Sequence, residues 1–232
     1  MLLSPRLGGR FGRLSLLLVA LAFAGCGGGG GSGGGGESNT SSTSASTSAS
    51  SGSPAPGCKL GFLGDPGKPV EMHLIARGKE RSTIDLTEGG PVPMLLPPQG
   101  GRIIAVGIRA TNLSACGIEL TGALRDAATG QIRLDQRTVN LEPSGDGWGQ
   151  SVIADMSTLA NVPTCPNQWA STDVFGQPFE LTLSIADAEG HAATQKISLV
   201  PFCAEPESED ECACECQKDY VLGQSCGEVP GP

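Results

Sequence analysis

Between Val70 and Leu199 the apolar residues recur at every second position, and no other feature restricts the fold as strongly. Val70, Met72, Leu74 and Ala76 alternate with Glu71, His73, Ile75 and Arg77, and Ile104, Val106, Ile108 and Ala110 alternate with Ala105, Gly107, Arg109 and Thr111. Ile118, Leu120 and Leu124 continue the pattern after Cys116. A period of two sends alternate side chains to opposite faces of an extended chain, so each segment predicts a strand with one face turned to a shared core. Two hairpins punctuate the run. Leu124-Arg125-Asp126 passes through Ala127-Ala128-Thr129-Gly130 into Gln131-Ile132-Arg133-Leu134, and Phe179 to Ile185 passes through Asp187-Ala188-Glu189-Gly190 to Ile197 and Leu199. Asp and Gly bound both connections, where glycine takes positive φ at little cost. About seven short strands at this spacing predict an antiparallel sandwich. Val152, Ile153, Met156, Leu159 and Ala160 break the pattern at helical spacing and predict a short helical turn between strands.

The first quarter of the chain has no composition that can build a core. Residues 58–203 are therefore the folded domain, long enough to bury on the order of 68–70% of the unfolded surface around one core. Residues 27–36 hold nine glycines and Ser32, and residues 37–53 hold 12 Ser or Thr among 17; such segments cannot bury enough apolar surface to order themselves and predict a disordered tether. As a flexible coil this tether spans roughly 30 Å, with an extended limit of about 100 Å.

Formal charge is −9. Without Arg6, Arg10 and Arg13, twelve basic side chains face 24 acidic ones, a net charge of −12. That balance excludes nucleic acid and anionic lipid headgroups as electrostatic partners, since both need a basic face. The charge is uneven: residues 58–203 carry 15 acidic and 11 basic side chains, residues 204–232 eight acidic ones and Lys218 alone. The tail 204–232 reads as a separate acidic element, hydrated at the surface rather than packed in the core.

Residues 1–25 have an arginine-bearing start and an apolar run from Leu14 to Ala24, roughly a dozen residues against the ~20 needed to span a bilayer. The ending Phe23-Ala24-Gly25-Cys26 resembles the lipobox of bacterial lipoproteins, in which leucine is commonest where this chain has Phe23. The resemblance implies a cleaved signal peptide 1–25, lipid (diacylglycerol, then an acyl chain such as palmitate) on Cys26, and membrane attachment through that lipid. Gly27 stands where aspartate usually retains such lipoproteins in the inner membrane, which implies the outer membrane of the cell envelope. Cysteine parity agrees: removing Cys26 from nine leaves eight, which can all pair.

From residue 70 to 203 the strand pattern and final hairpin resemble immunoglobulin-like domains of bacterial surface proteins, although Cys116 and Trp148 do not reproduce the antibody Cys…Trp…Cys spacing. The segments Gly117-Ile118-Glu119-Leu120-Thr121-Gly122 and Glu211-Cys212-Ala213-Cys214-Glu215-Cys216, with the polyglycine start, resemble an uncharacterised group of myxobacterial lipoproteins, which implies no activity. The expected fold is all-β: an antiparallel immunoglobulin-like sandwich with a disordered N-terminal tether, residues 26–57, and a disulfide-rich C-terminal tail.

Cys212, Cys214 and Cys216 form a C-x-C-x-C cluster whose thiolates could hold zinc or copper(I). Metal needs reduced thiolates, whereas export implies an oxidising compartment in which disulfides persist. Disulfides are expected, each cysteine of an extended C-x-C-x-C segment reaching a separate partner among Cys58, Cys116, Cys165, Cys203 and Cys226; eight cysteines allow 105 pairings. Gly223-Gln224-Ser225-Cys226-Gly227 matches a G-x-S-x-G nucleophile elbow by letters, but no histidine follows Ser225. His73 and His191 are expected to be exposed surface histidines, and the Asp187 to Gly190 loop to be a turn rather than a calcium loop. No catalytic residue, metal ligand or cofactor is expected. The sequence thus predicts a lipid-anchored binding or structural module whose partner is an envelope protein or a glycan; the alternatives are a metal-handling or thiol-redox lipoprotein and an enzyme built on carboxylates.

Overall fold

The computed structural model describes residues 59–226. The expected signal peptide, Cys26, the tether and Cys58 lie outside the described residues. In chain order the strands are β1 (Phe62–Leu63), β2 (Glu71–Arg77), β3 (Thr83–Asp85), β4 (Gly90–Met94), β5 (Arg102–Thr111), β6 (Leu113–Ser114), β7 (Ile118–Arg125), β8 (Ile132–Val139), β9 (Glu142–Pro143), β10 (Gly149–Gln150), β11 (Ala160–Cys165), β12 (Phe179–Ala186) and β13 (Ala192–Cys203). One helix, α1 (Glu209–Cys216), follows them.

These strands form the expected all-β sandwich. One sheet runs β4-β13-β12-β7-β8, and the other runs β3-β2-β5-β10-β9 with β11 also on β5. A separate short pair joins β1 to β6. Pairing is antiparallel throughout except that β4 runs parallel to β13. Both hairpins form at the expected places: Arg125 faces Ile132 and Ala186 faces Ala192, with Gly130 and Gly190 at φ of 72° and 92°.

The alternation becomes burial. Ile104, Val106 and Ile108 of β5 share one cluster with Leu120 and Leu124 of β7 and with Leu181 and Leu183 of β12. Each such side chain contributes about 1.5–3 kcal/mol by leaving water. The two sheets approach most tightly at Gly122 of β7, where an added Cβ would stand 3.0 Å from both Ala160 Cβ and Val162 Cγ2 and 3.2 Å from Val106 Cγ2. Glycine is there for space, not for backbone freedom.

Alternation fails at Ile75 and Ala105, whose positions face away from this core. Both are buried in a second cluster with Leu95, Ile103, Ile153 and Leu159. The reason is the segment after β10, which folds over that half of the outer sheet face. Its helical spacing becomes a single 3₁₀ turn, Met156–Thr158, started by Asp155, whose carboxylate accepts from Ser157 N at 2.9 Å. The other half meets the loop that carries Trp148. Edge strand β8 turns Arg133, Asp135 and Arg137 toward the inner side, opposite Leu124, Gly122 and Leu120. Inward charges of this kind discourage further strand addition at the edge.

The tail departs from expectation. Rather than an extended, hydrated segment it contains α1, with Cys212 and Cys216 buried in the main core cluster. Helical spacing is the cause: positions four apart share a face, so these two cysteines point inward together while Cys214 points elsewhere. Glu209, Asp210 and Glu211 occupy the first turn, where negative charge complements the helix dipole.

Candidate functional site

Every cysteine of the C-x-C-x-C segment is in a disulfide, and each has a separate partner: Cys203–Cys212, Cys214–Cys226 and Cys165–Cys216. Cys116 is disulfide-bonded as well. The expected bonding therefore holds for the described cysteines, although it arises from a helix rather than an extended strand. Sulfurs bonded this way offer no thiolate to a metal.

The same helix covers a buried cation. Arg102, at the start of β5, is 1% exposed and lies opposite Cys165 in the β5–β11 ladder. Its Nη2 donates to Glu211 Oε2 at 3.2 Å and to Ser208 O at 3.3 Å, and carboxylate oxygens of Glu205 and Glu215 stand 3.9 Å from the guanidinium. Burial pushes the Glu215 carboxyl above its usual range, with Arg102 opposing that rise and Glu211 adding to it. The last carbonyls of α1 are also satisfied, Glu215 O by Asn167 N at 2.8 Å and Cys216 O by Val174 N at 2.8 Å. This assembly fastens the tail to the sandwich, and nothing in it resembles a reaction centre.

His191 is not the exposed residue expected. Its Nδ1 lies 2.8 Å from Oδ2 of Asp187, a carboxylate with no exposed side-chain surface, and its ring packs edge-on to Phe62 at 5.2 Å. Ligand atoms of Asp187, Glu189 and His191 come within 4.8 Å of one another. Yet Asp187 also accepts from Ser114 N, Glu189 N and His191 N at 2.8, 3.0 and 2.8 Å. Both its oxygens are thus committed, Oδ1 to closing the hairpin as the turn reading expects and Oδ2 to His191 and to Ser114 of β6. Asp126 does the same at the other hairpin, accepting from Ala128 N, Thr129 Oγ1 and both Ser171 N and Oγ. Ser225 sits in the turn region after α1, beside Cys226 in its bond to Cys214, and no strand–helix elbow surrounds it.

His73 is exposed as expected but not idle. On the other half of the outer sheet face it stacks on Trp148, centroids 5.1 Å apart and planes 26° apart. Its cross-strand neighbour Arg109 lays its guanidinium over the same ring at 5.1 Å. The loop carrying Trp148 is rigidly tied: Ser144 N and Oγ both donate to Trp148 O, Trp148 N donates to Asp146 Oδ1, and Thr111 Oγ1 donates to Gly147 O. Asp146 pairs with Arg109, and hydrogen bonds from Ser144 and Trp148 N hold its carboxyl below the usual range. His73 and Arg109, but not Trp148, line an open cleft of about 360 Å³ together with Leu74, Asp85, Leu86, Thr87 and Gln195.

Sequence reading gives no role to Arg102, Trp148 or Arg109. A charge excess of seven in the tail was a signal that a cation elsewhere must answer it. Trp148, an aromatic in the turn Ser144-Gly145-Asp146-Gly147-Trp148 outside any period-two run, was the signal for the other. Compared with known proteins, the chain matches no family model and no curated sequence.

Proposed function

We propose that the chain is a lipid-anchored binding module of the cell envelope without catalytic activity. The observation that carries this reading is the set of disulfides through which α1 is held to β11 and β13. A fold that depends on such bonds belongs to an oxidising compartment, and the lipobox-like Phe23-Ala24-Gly25-Cys26 supplies a route there and an anchor on Cys26. Several acyl chains at about 0.8 kcal/mol per buried CH₂ hold essentially permanently. The tether then sets the cross-linked sandwich off the outer membrane, and its loops or a sheet face are the surface offered to a partner.

Absence of catalysis rests on what the polar side chains do. Of the two histidines, His191 is bonded to a turn carboxylate and His73 supports an indole. Among the described residues no serine or cysteine nucleophile is paired with either, the pairing a triad requires.

Palmitate labelling tests the anchor. Wild-type protein should incorporate label and sediment with the outer membrane, and Cys26→Ala should lose the label and escape cleavage at that site. Unchanged labelling of Cys26→Ala would overturn the reading.

A further inference from the structure

Between the β2–β3 loop and the β4–β5 connection we infer a binding site for an amphiphilic cation, whose aliphatic chain enters an apolar cleft while its ammonium group stays at the mouth beside Glu80. Such a site goes beyond the docking of an envelope partner and does not depend on it. The cleft measures about 250 Å³, and Leu95, Leu96, Pro97, Pro98 and Met156 form its apolar walls. At about 30 Å³ for a group the size of a water molecule, it has room for roughly eight carbon atoms. It opens onto the second buried cluster, to which Leu95 belongs and against which Met156 packs, whereas Leu96 is 44% exposed. An alkyl chain lying in the cleft would take the Leu96 side chain out of water. Pro97 and Pro98 fix the backbone of that wall, and unbranched Met156 adapts to what lies against it.

Most of the remaining lining comes from Arg77 to Glu80, and here the backbone is strained. Glu80 and Arg81 are both left-handed, with φ of 58° and 63°, a conformation that costs any residue but glycine. Gly78 N donates to Ser82 O at 2.7 Å, and Ser82 N and Oγ donate to Lys79 O at 3.2 and 2.8 Å, so the loop is closed around the strained pair. Strain of this kind persists only where the surroundings enforce it, and it collects at ligand clamps. Charge then selects the ligand. Lys79 is paired with Glu207 at 3.4 Å, Arg77 Nη1 donates to Ile153 O and Ala154 O, and Glu205 accepts from Leu96 N and Ser208 Oγ. Of the charged side chains lining the cleft, Glu80 alone has neither a hydrogen bond nor an ion pair among the described residues. The chain as a whole carries −9, which draws cations and repels phosphate or carboxylate head groups. An uncharged alkyl chain would use the walls and leave Glu80 without a counter-charge.

The test uses the exported chain from residue 26 onward with Cys26→Ser, so that no lipid competes, and with ¹³C in its methionine methyl groups. Met156 lines the cleft and is the reporter, while Met94, 1% exposed, is the buried control. n-Octylammonium should shift the Met156 signal in a saturable way, with a Kd of about 1 mM, and leave Met94 in place. n-Butylammonium buries half the chain and should bind more weakly by about tenfold or more. n-Octanoate, with the opposite charge, should bind about tenfold more weakly. Leu96→Ala should weaken n-octylammonium binding by about fivefold, and Glu80→Gln should reduce the preference for ammonium over carboxylate by about threefold. The titrations of the unsubstituted cleft stand even if a variant folds poorly. No saturable Met156 shift with n-octylammonium, or an equal shift at Met94, overturns the cleft as a binding site. n-Octanoate binding as tightly as n-octylammonium overturns the cationic ligand. A preference unchanged in Glu80→Gln overturns Glu80 as the counter-charge.

Discussion

At the scale of single residues, buried charges hold the loops and tail of this protein, and Asp126 and Arg102 do so differently. Asp126 is 4% exposed and carries four hydrogen bonds from Ala128, Thr129 and Ser171. Burial alone would raise its pKa, but the donors, Ser171 N first, overcome it and lower the value to about 2. A folded pKa below the unfolded one means stability that is complete above about pH 4 and is lost as pH falls toward 2. With screening near the surface allowed for, the effect is on the order of 1–2 kcal/mol. Urea midpoints measured from pH 5 to pH 2 should therefore fall more steeply for wild type than for Asp126→Asn, which starts lower. Parallel curves would show that this carboxylate does not titrate as described. Arg102 has no such simple sign. One guanidinium among three carboxylates, with Nε and Nη1 lacking hydrogen-bond partners among the described residues, gains Coulomb attraction against a large desolvation cost.

At the scale of elements, strand identity was legible because burial and backbone periodicity coincide in β7 and β12. What escaped was any element whose environment comes from elsewhere in the chain. Ile75 and Ala105 read as outward positions until the segment around Leu159 covers them. β8 reads as an ordinary strand, although its alternation is inverted and its charges face inward. The C-x-C-x-C run repeats at every second residue and carries no long helical stripe, so it reads as extended, and α1 was visible only in the folded protein. The same logic bears on Gly122, which sequence alone presents as a weak point in β7. Three side chains of the opposite sheet stand within 3.2 Å of its absent Cβ. Gly122→Val should cost about 1–3 kcal/mol by overpacking, despite the better strand propensity of valine. Chemical denaturation measures this, and a neutral or stabilising result would mean the sheets separate there at no cost.

At the scale of the whole molecule, the sandwich and its tail are one object. The Arg102 contacts tie the tail to a strand more than a hundred residues earlier, and the two buried cysteines of α1 and the carbonyls bonded to Asn167 and Val174 tie it to segments nearer in the chain. Denatured, non-reduced protein should show almost no reactive thiol and no stoichiometric zinc or copper. Reduction should then lower the denaturation midpoint, each disulfide contributing about 2–4 kcal/mol. Three or more free thiols with one bound metal ion per chain would sink the disulfide reading and favour metal handling. The proposed location of the chain rests on residues 1–26, which lie outside the described residues, and the grouping of Trp148 with His73 and Arg109 was not legible because the three come from separate stretches of sequence.

The pairing of β4 with β13, and of Cys165 with Cys216, has a consequence for how the protein is made. Synthesis begins at the N-terminus, yet the early strand β4 has its neighbour only when residue 199 and beyond have appeared. Arg102 and the Cys165 thiol wait longer still, until α1 arrives. An interrupted chain that stops after β13 would thus display a naked cation and two unpaired thiols, Cys165 and Cys203, marking the unfinished molecule chemically for whatever surveys nascent proteins.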